Sequence, residues 1–172
     1  NIEYLFTLAD LAQIQKNWDL AIDYYIEGYR VNSSAINALE QALQIALTTN
    51  SFDRAEEVCI LLLEEDPESL KFLETIRDLS LFNQKYQVAL EFVNRIEKIQ
   101  GSTSEILIQK SALYEELKNP EKALNIMFEA FEKDSVNINR RKKLGISRSK
   151  KKSTVSAKAY KDMKNKWKKK SG

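Results

Sequence analysis

Apolar residues recur along the chain with the spacing of amphipathic α-helices. Leu39, Leu43 and Leu47 lie four residues apart, and a new apolar stripe begins at Ala55 after a short polar stretch. Only 4 Gly and 2 Pro interrupt the chain, which argues against the many tight turns of a sandwich or barrel. The pattern therefore predicts helices joined in pairs by short turns.

This helical pattern repeats every 34 residues. The repeat is marked by four alanines, Ala21, Ala55, Ala89 and Ala123. A ring or a proline stands three residues before each alanine: Trp18, Phe52, Tyr86 and Pro120. A leucine stands sixteen residues before each: Leu5, Leu39, Leu73 and Leu107. Twelve residues after each alanine stands a residue that breaks or caps helices: Ser33, Pro67, Gly101 and Ser135. Such phasing predicts four helix–turn–helix units.

With these features the chain resembles the tetratricopeptide repeat (TPR) family over residues 2–137, divided as 2–35, 36–69, 70–103 and 104–137. The resemblance implies an all-α, right-handed solenoid of antiparallel helical hairpins that share one core. Alanines would lie at close helix crossings, and Trp18, Phe52 and Tyr86 would pack between hairpins. The chain lacks the Trp and the Gly that the family has on the first helix. Leucines stand at the Trp positions, and the Gly positions are occupied by Ala9, Leu43, Arg77 and Ser111.

Charge divides the chain at residue 138. Residues 1–137 carry 12 Lys or Arg and 24 Asp or Glu, a net charge of −12, whereas residues 138–172 carry 15 Lys or Arg and one acid, a net charge of +14. Blocks of like charge commonly mark interaction tails. We therefore separate residues 138–172 as a lysine-rich basic tail, either disordered or a single amphipathic helix.

The TPR resemblance implies that the first helix of each hairpin lines a concave groove. Its expected lining is acidic with apolar patches: Glu3, Phe6, Asp10, Glu40, Gln44, Leu47, Glu74, Asp78, Leu81, Phe82, Ile108 and Glu115. Such a lining suits a basic or amphipathic peptide segment of a protein partner. The alternative is that the acids only solvate the domain. A carboxylate-gripping clamp of the kind that binds chaperone tails is not expected, because Phe6 and Asp10 occupy donor positions.

The basic tail allows four interpretations. Two clusters, Arg140, Arg141, Lys142, Lys143 and Lys150, Lys151, Lys152, resemble a bipartite nuclear-import signal. A stripe through Val155, Ala159, Met163 and Trp167 is flanked by Lys164, Lys166, Lys168, Lys169 and Lys170. In the first interpretation the tail is solvated and has no specific role. In the second it binds RNA or DNA phosphates, with Trp167 stacking on a base. In the third it folds back to cap the array or lie in the groove, and in the fourth it binds an acidic membrane or a calmodulin-like partner.

The sequence contains few residues of the types that usually carry out catalysis. There is no His, and the single Cys59 falls at a core position. The four glycines are isolated, so no phosphate-binding loop is formed, and no run of about 18 apolar residues predicts a membrane span. The composition predicts a protein that is not an enzyme and needs no cofactor, metal or small-molecule substrate.

These observations favour a scaffold or adaptor subunit, cytoplasmic or nuclear, whose groove binds a protein while its tail contacts nucleic acid or directs nuclear import. The alternative function is a chaperone-like binder of a basic protein, such as a ribosomal protein or histone, with the tail as a self-masking mimic. Because the sequence begins inside a helical pattern at Asn1, further flanking repeats are expected.

Overall fold

The computed structural model describes residues 1–143, with side chains through residue 136, and every regular element in this part is an α-helix. The helices are α1 (Ile2–Ile14), α2 (Trp18–Val31), α3 (Ile36–Thr48), α4 (Phe52–Glu65), α5 (Leu70–Phe82), α6 (Tyr86–Gln100), α7 (Ser104–Glu116) and α8 (Pro120–Lys143). Predictions for Lys150–Lys152, the 155–167 stripe and Lys164–Lys170 lie outside the described residues. The predicted all-α fold is confirmed.

The turn between paired helices has the same backbone conformation in each predicted repeat. A non-glycine residue with φ near +58° follows the first helix at four positions spaced by 34: Lys16, Asn50, Gln84 and Lys118. The next N–H bonds back across the helix end, as Asn17 does to the Ala12 carbonyl at 2.8 Å and Lys85 to the Ser80 carbonyl at 2.8 Å. These bonds are typical of the Schellman helix ending. The turn repeats although none of its left-handed residues is glycine.

The chain forms two compact units, of which the first is Asn1–Ile96. In it α1 packs on α2, α2 on α3, α3 on α4 and α4 on α5. The predicted core alanines Ala21, Ala55 and Ala89 are completely buried, as are Leu39 and Leu73. Their predicted place in the core is confirmed, while their position at close helix crossings remains a prediction.

The predicted aromatic packing residues are less enclosed than the alanines. Phe52 and Tyr86 are half-buried, while Trp18 at the start of α2 is 37% exposed. Cys59 is fully buried, as expected of a packing residue. Burial raises the pKa of the Cys59 thiol to about 12, so the thiol stays protonated near neutral pH.

The second unit begins at Glu97 and contains the α7–α8 hairpin. Ser111 is buried on α7, and its hydroxyl donates to the Ala123 carbonyl at 2.7 Å. Lys110 Nζ lies 2.7 Å from Glu97 Oε2, and the two side chains are only 16% and 22% exposed. A buried hydrogen bond between α7 and α8 and an ion pair between α6 and α7 thus add to the apolar contacts of this unit.

Helix α8 extends beyond its predicted end. Ser135 was expected to end the helix and residue 137 to close the repeat, but α8 continues to Lys143. The Ser135 hydroxyl donates to the Phe131 carbonyl at 2.9 Å, one turn earlier. A serine bonded in this way is compatible with a helix interior, and no Gly or Pro stands between Ser135 and Lys143 to end the helix earlier. Arg140–Lys143 therefore belong to α8.

Candidate peptide-binding face

The predicted groove residues all lie on the first helices of the hairpins. The first-helix face is defined here by the ten of them in the first unit: Glu3, Phe6 and Asp10 on α1, Glu40, Gln44 and Leu47 on α3, and Glu74, Asp78, Leu81 and Phe82 on α5. Lys71 Nζ lies 3.1 Å from Glu40 Oε1, which makes α3 and α5 neighbours on this face. In the second unit, α7 carries half-buried Ile108 and exposed Glu115.

A hydrogen-bond network fixes Asp10. The buried Tyr25 of α2 donates its hydroxyl to Asp10 Oδ1 at 3.0 Å, and Gln13 Nε2 donates to the same tyrosine oxygen at 3.0 Å. Burial, together with the hydrogen bond to Asp10 and its charge, raises the pKa of Tyr25 above its ordinary value. The tyrosine therefore remains a neutral donor, which holds the exposed carboxylate of Asp10 in place.

Phe6 contributes mainly to hairpin packing. Its ring is half-buried and lies 5.9 Å from the Tyr25 ring, centroid to centroid. A Cβ placed on Gly28 of α2 would come within 2.5 Å of Phe6 Cε1. The absence of a side chain at Gly28 is what lets Phe6 lie against α2, so its ring is only partly available to a partner.

Two of the five acids on the face are neutralised locally. Glu40 pairs with Lys71, and Asp78 accepts from Arg77 Nε at 2.8 Å. Among the described residues Glu3, Asp10 and Glu74 form no ion pair. Exposed ion pairs stabilise little and exchange readily. The face is therefore acidic, but its unpaired negative charge is smaller than the sequence suggests.

Apolar side chains collect where the first helices end. Leu47 and Leu81 are each 38% exposed, Phe82 is 68% exposed, and Ile14 at the position equivalent to Phe82 is 77% exposed. We call these four residues the apolar edge. The Phe82 ring also meets Phe52 edge-on at 4.6 Å between centroids. The repeat register had assigned all four to the groove, and Phe52 packs against the next hairpin as expected.

The same edge carries the C-terminal ends of α1, α3 and α5. Carbonyl groups at a helix C-terminus have few intrahelical donors and carry a partial negative charge. No basic residue lies in the last turn of any of these three helices. The edge thus combines exposed apolar side chains with three helix C-termini.

Other chemistry is weakly supported in the described part of the chain. No group of three His, Cys, Asp or Glu residues there is arranged to hold a metal ion. Among residues 1–143, moreover, no helix has both the length and the apolar content that crossing a bilayer requires.

Comparison with known proteins gives structural matches only. No family model and no curated protein matches the chain. MamA AMB-1 superposes with a TM-score of 0.56 at 12% identity, covering 86% of this chain and 80% of its own. MamA MSR-1 gives 0.53 at 12%, covering 80% and 79%. A tetratricopeptide repeat protein from Parabacteroides merdae gives 0.49 at 18%, covering 77% and 52%.

The structural matches show the fold alone. Taken with hairpin turns that recur every 34 residues, the two MamA matches define an all-helical fold of the TPR type, as the sequence predicted. The number of repeats and their boundaries remain predictions. The twelve groove residues, likewise, remain a predicted site.

Proposed function

We propose that this protein is a non-catalytic interaction scaffold that binds a basic, amphipathic peptide segment of a partner protein on its first-helix face. The TPR-type fold supports this class of function, since repeat folds of stacked hairpins present extended binding surfaces rather than enclosed catalytic pockets.

One observation carries the proposal: the apolar edge lies beside unpaired carboxylates. Leu47, Leu81 and Phe82 are exposed, while Asp10 is held in position by Tyr25. An amphipathic peptide helix would place its apolar stripe on the edge. Its Lys or Arg side chains would meet Asp10, Glu74 and the helix C-termini. This combination favours charge-complementary docking of a helix in a groove.

Titration of labelled peptides tests the proposal. The full chain is titrated with an amphipathic 14-residue Leu-Lys peptide and, as a matched probe, with its Leu-Glu counterpart. We expect saturable binding of the basic peptide only, with an affinity that falls as salt rises. Phe82→Ser and Glu74→Lys should each weaken binding by about tenfold, because they remove an apolar anchor or reverse a charge.

Two substitutions away from the face serve as controls. Ile60→Ser removes an apolar side chain that is 49% exposed on α4, and Glu64→Lys reverses an exposed charge on the same helix. Both should leave the affinity within about twofold of the parent chain. Equal binding of the two peptides, or equal losses in the face and control variants, would contradict the proposal.

A second activity is proposed for the basic tail, on the strength of its sequence. Residues 138–172 hold 15 Lys or Arg and one acid, which suits contact with RNA or DNA phosphates in a ribonucleoprotein, or nuclear import. A chain ending at Lys143 keeps all of α8 intact and removes residues 144–172. We expect the full chain to bind a generic RNA with a steep salt dependence that this deletion reduces. RNA binding that the deletion leaves unchanged would contradict a nucleic-acid role for the tail.

The chaperone-like alternative is separated by the same deletion. If the tail is a self-masking mimic, removing residues 144–172 should strengthen binding of the Leu-Lys peptide. If the protein is a scaffold with a nucleic-acid tail, peptide binding should not improve while RNA binding falls. The two functions thus predict different results in the peptide titration of the same pair of chains.

A further inference from the structure

The first hairpin has a buried hydroxyl at a repeat position where the next two hairpins have none. Tyr25 on α2 is 7% exposed, and the equivalent residues on α4 and α6 are the fully buried Cys59 and Val93. The tyrosine ring fills this core position, while its hydroxyl bonds to Asp10 and Gln13 on α1. Packing alone does not account for the tyrosine, because a smaller side chain without a hydroxyl fills the same position elsewhere.

The order of these hydrogen bonds fixes the orientation of both partners. A tyrosine hydroxyl has a single hydrogen, and an ionised carboxylate can only accept. Tyr25 therefore donates to Asp10 Oδ1 and accepts from Gln13 Nε2, each at 3.0 Å. Among the described residues, no hydrogen bond reaches the second carboxylate oxygen of Asp10 or the amide oxygen Oε1 of Gln13. Two oriented acceptor oxygens are thus left for a ligand.

Asp10 is exposed because of its place on the first-helix face. Its equivalents on α3 and α5, Gln44 and Asp78, are exposed too, so the exposure is common to three helices. Asp78 is paired with Arg77, whereas Asp10 forms no ion pair among the described residues. Of the unpaired acids on this face, Asp10 is the one whose side chain a hydrogen bond holds in the described structure. Its charge is both available and positioned.

We propose that Asp10 and Gln13 form a subsite for one lysine or arginine side chain of the peptide, with Tyr25 as its positioning residue. This subsite rests on the proposed function, which it makes more specific by naming where a peptide cation binds. The N–H groups of the cation bond to the two acceptor oxygens, and hydrogen bonds between charged groups are the stronger kind. Because Tyr25 orients the acceptors beforehand, binding orders few additional side chains. The subsite therefore selects N–H donors and not positive charge alone.

The test compares two peptides with the same charge. The full chain is titrated with the Leu-Lys peptide and with a version whose lysines are all trimethylated, which keeps the positive charge and removes every side-chain N–H donor. We expect the unmodified peptide to bind about tenfold more tightly. Asp10→Asn and Tyr25→Phe should each reduce this preference to about threefold or less. Tyr29→Phe is the matched control, since Tyr29 is 8% exposed and its hydroxyl donates to Glu65 on α4; it should keep the full preference.

The outcomes separate the subsite from the proposed function. If the parent chain binds neither peptide, the proposed function fails and the subsite fails with it. If the parent chain binds both peptides equally, or if Tyr25→Phe keeps the tenfold preference, the subsite alone is overturned. Equal losses of preference in Tyr25→Phe and Tyr29→Phe overturn it as well, because they would reflect a general structural effect. Asp10→Asn changes an exposed side chain and leaves the core intact, so a preference that survives in this variant is equally decisive against the subsite.

Discussion

At the scale of residues, two buried serines make opposite contributions. The Ser80 hydroxyl on α5 is completely buried and has no hydrogen-bond partner among the described residues, whereas the Ser111 hydroxyl donates to the Ala123 carbonyl. The positions equivalent to Ser80 on α1 and α3 are Ala12 and Ala46, both buried. Alanine therefore fits this environment without strain.

We expect Ser80→Ala to raise the free energy of unfolding by about 1 kcal/mol, because an unpaired buried hydroxyl is removed. Ser111→Ala should lower it by about 1 kcal/mol, since a buried hydrogen bond is lost. Urea denaturation of both variants measures the difference. Effects of the same sign would show that hydrogen-bond satisfaction does not control these positions.

A pH-dependent prediction concerns Glu97. Burial raises the pKa of its carboxyl, but hydrogen bonds from Lys110 and Ser102 and the nearby lysine charges outweigh burial, so the pKa lies below its ordinary value. The stabilisation is therefore present above the unfolded pKa of about 4.3 and is lost as pH falls through the lower folded pKa. Glu97→Gln should lower stability by about 1 kcal/mol at pH 7.

Denaturation of the wild type and the Glu97→Gln variant across pH 7 to 3 checks this prediction. The difference between them should shrink below about pH 4 as the native carboxylate is protonated. Glu132→Gln, at an exposed acid on α8, is the control and should show little difference at any pH. A Glu97→Gln difference that persists at the acid end would contradict the assigned role of the ion pair.

At the scale of elements, each hairpin turn contains a residue whose backbone conformation is sterically unfavourable for any side chain. Gln84 and Lys118 have φ of 57° and 59°, in the left-handed region that glycine adopts without steric cost. Gln84→Gly should raise the free energy of unfolding by about 0.5–1 kcal/mol despite the greater freedom of glycine in the unfolded chain. Gln84→Val should lower it. Urea midpoints that rise for Val and fall for Gly would contradict this assignment.

Local periodicity made the helices and the core predictable. The 34-residue spacing placed Ala21, Ala55 and Ala89 at helix crossings, and the structure buries all three. The turn conformation was not predictable from residue type, because Lys16, Gln84 and Lys118 are not turn residues. The end of α8 was missed because Ser135 was equated with Pro67 and Gly101, although a serine does not end a helix on its own.

At the scale of the whole molecule, the sequence predicted which helices carry the candidate site but not how the charges of that site are paired. The repeat register correctly assigned the acidic and apolar groove residues to first helices. It did not reveal that Lys71 neutralises Glu40, because the two residues are 31 positions apart and meet only when hairpins stack. Nor did it show Phe6 packed beside Gly28, since that contact depends on the distance between α1 and α2.

The central claim is that the first-helix face, rather than the second helices, receives a basic amphipathic peptide. The most direct measurement is a map of backbone amide NMR shifts of the full chain during titration with the Leu-Lys peptide. The claim predicts that the largest saturable shifts fall on α1, α3 and α5, concentrated near Ile14, Leu47 and Leu81. Shifts confined to α2 and α4, or no saturable shift, would contradict it.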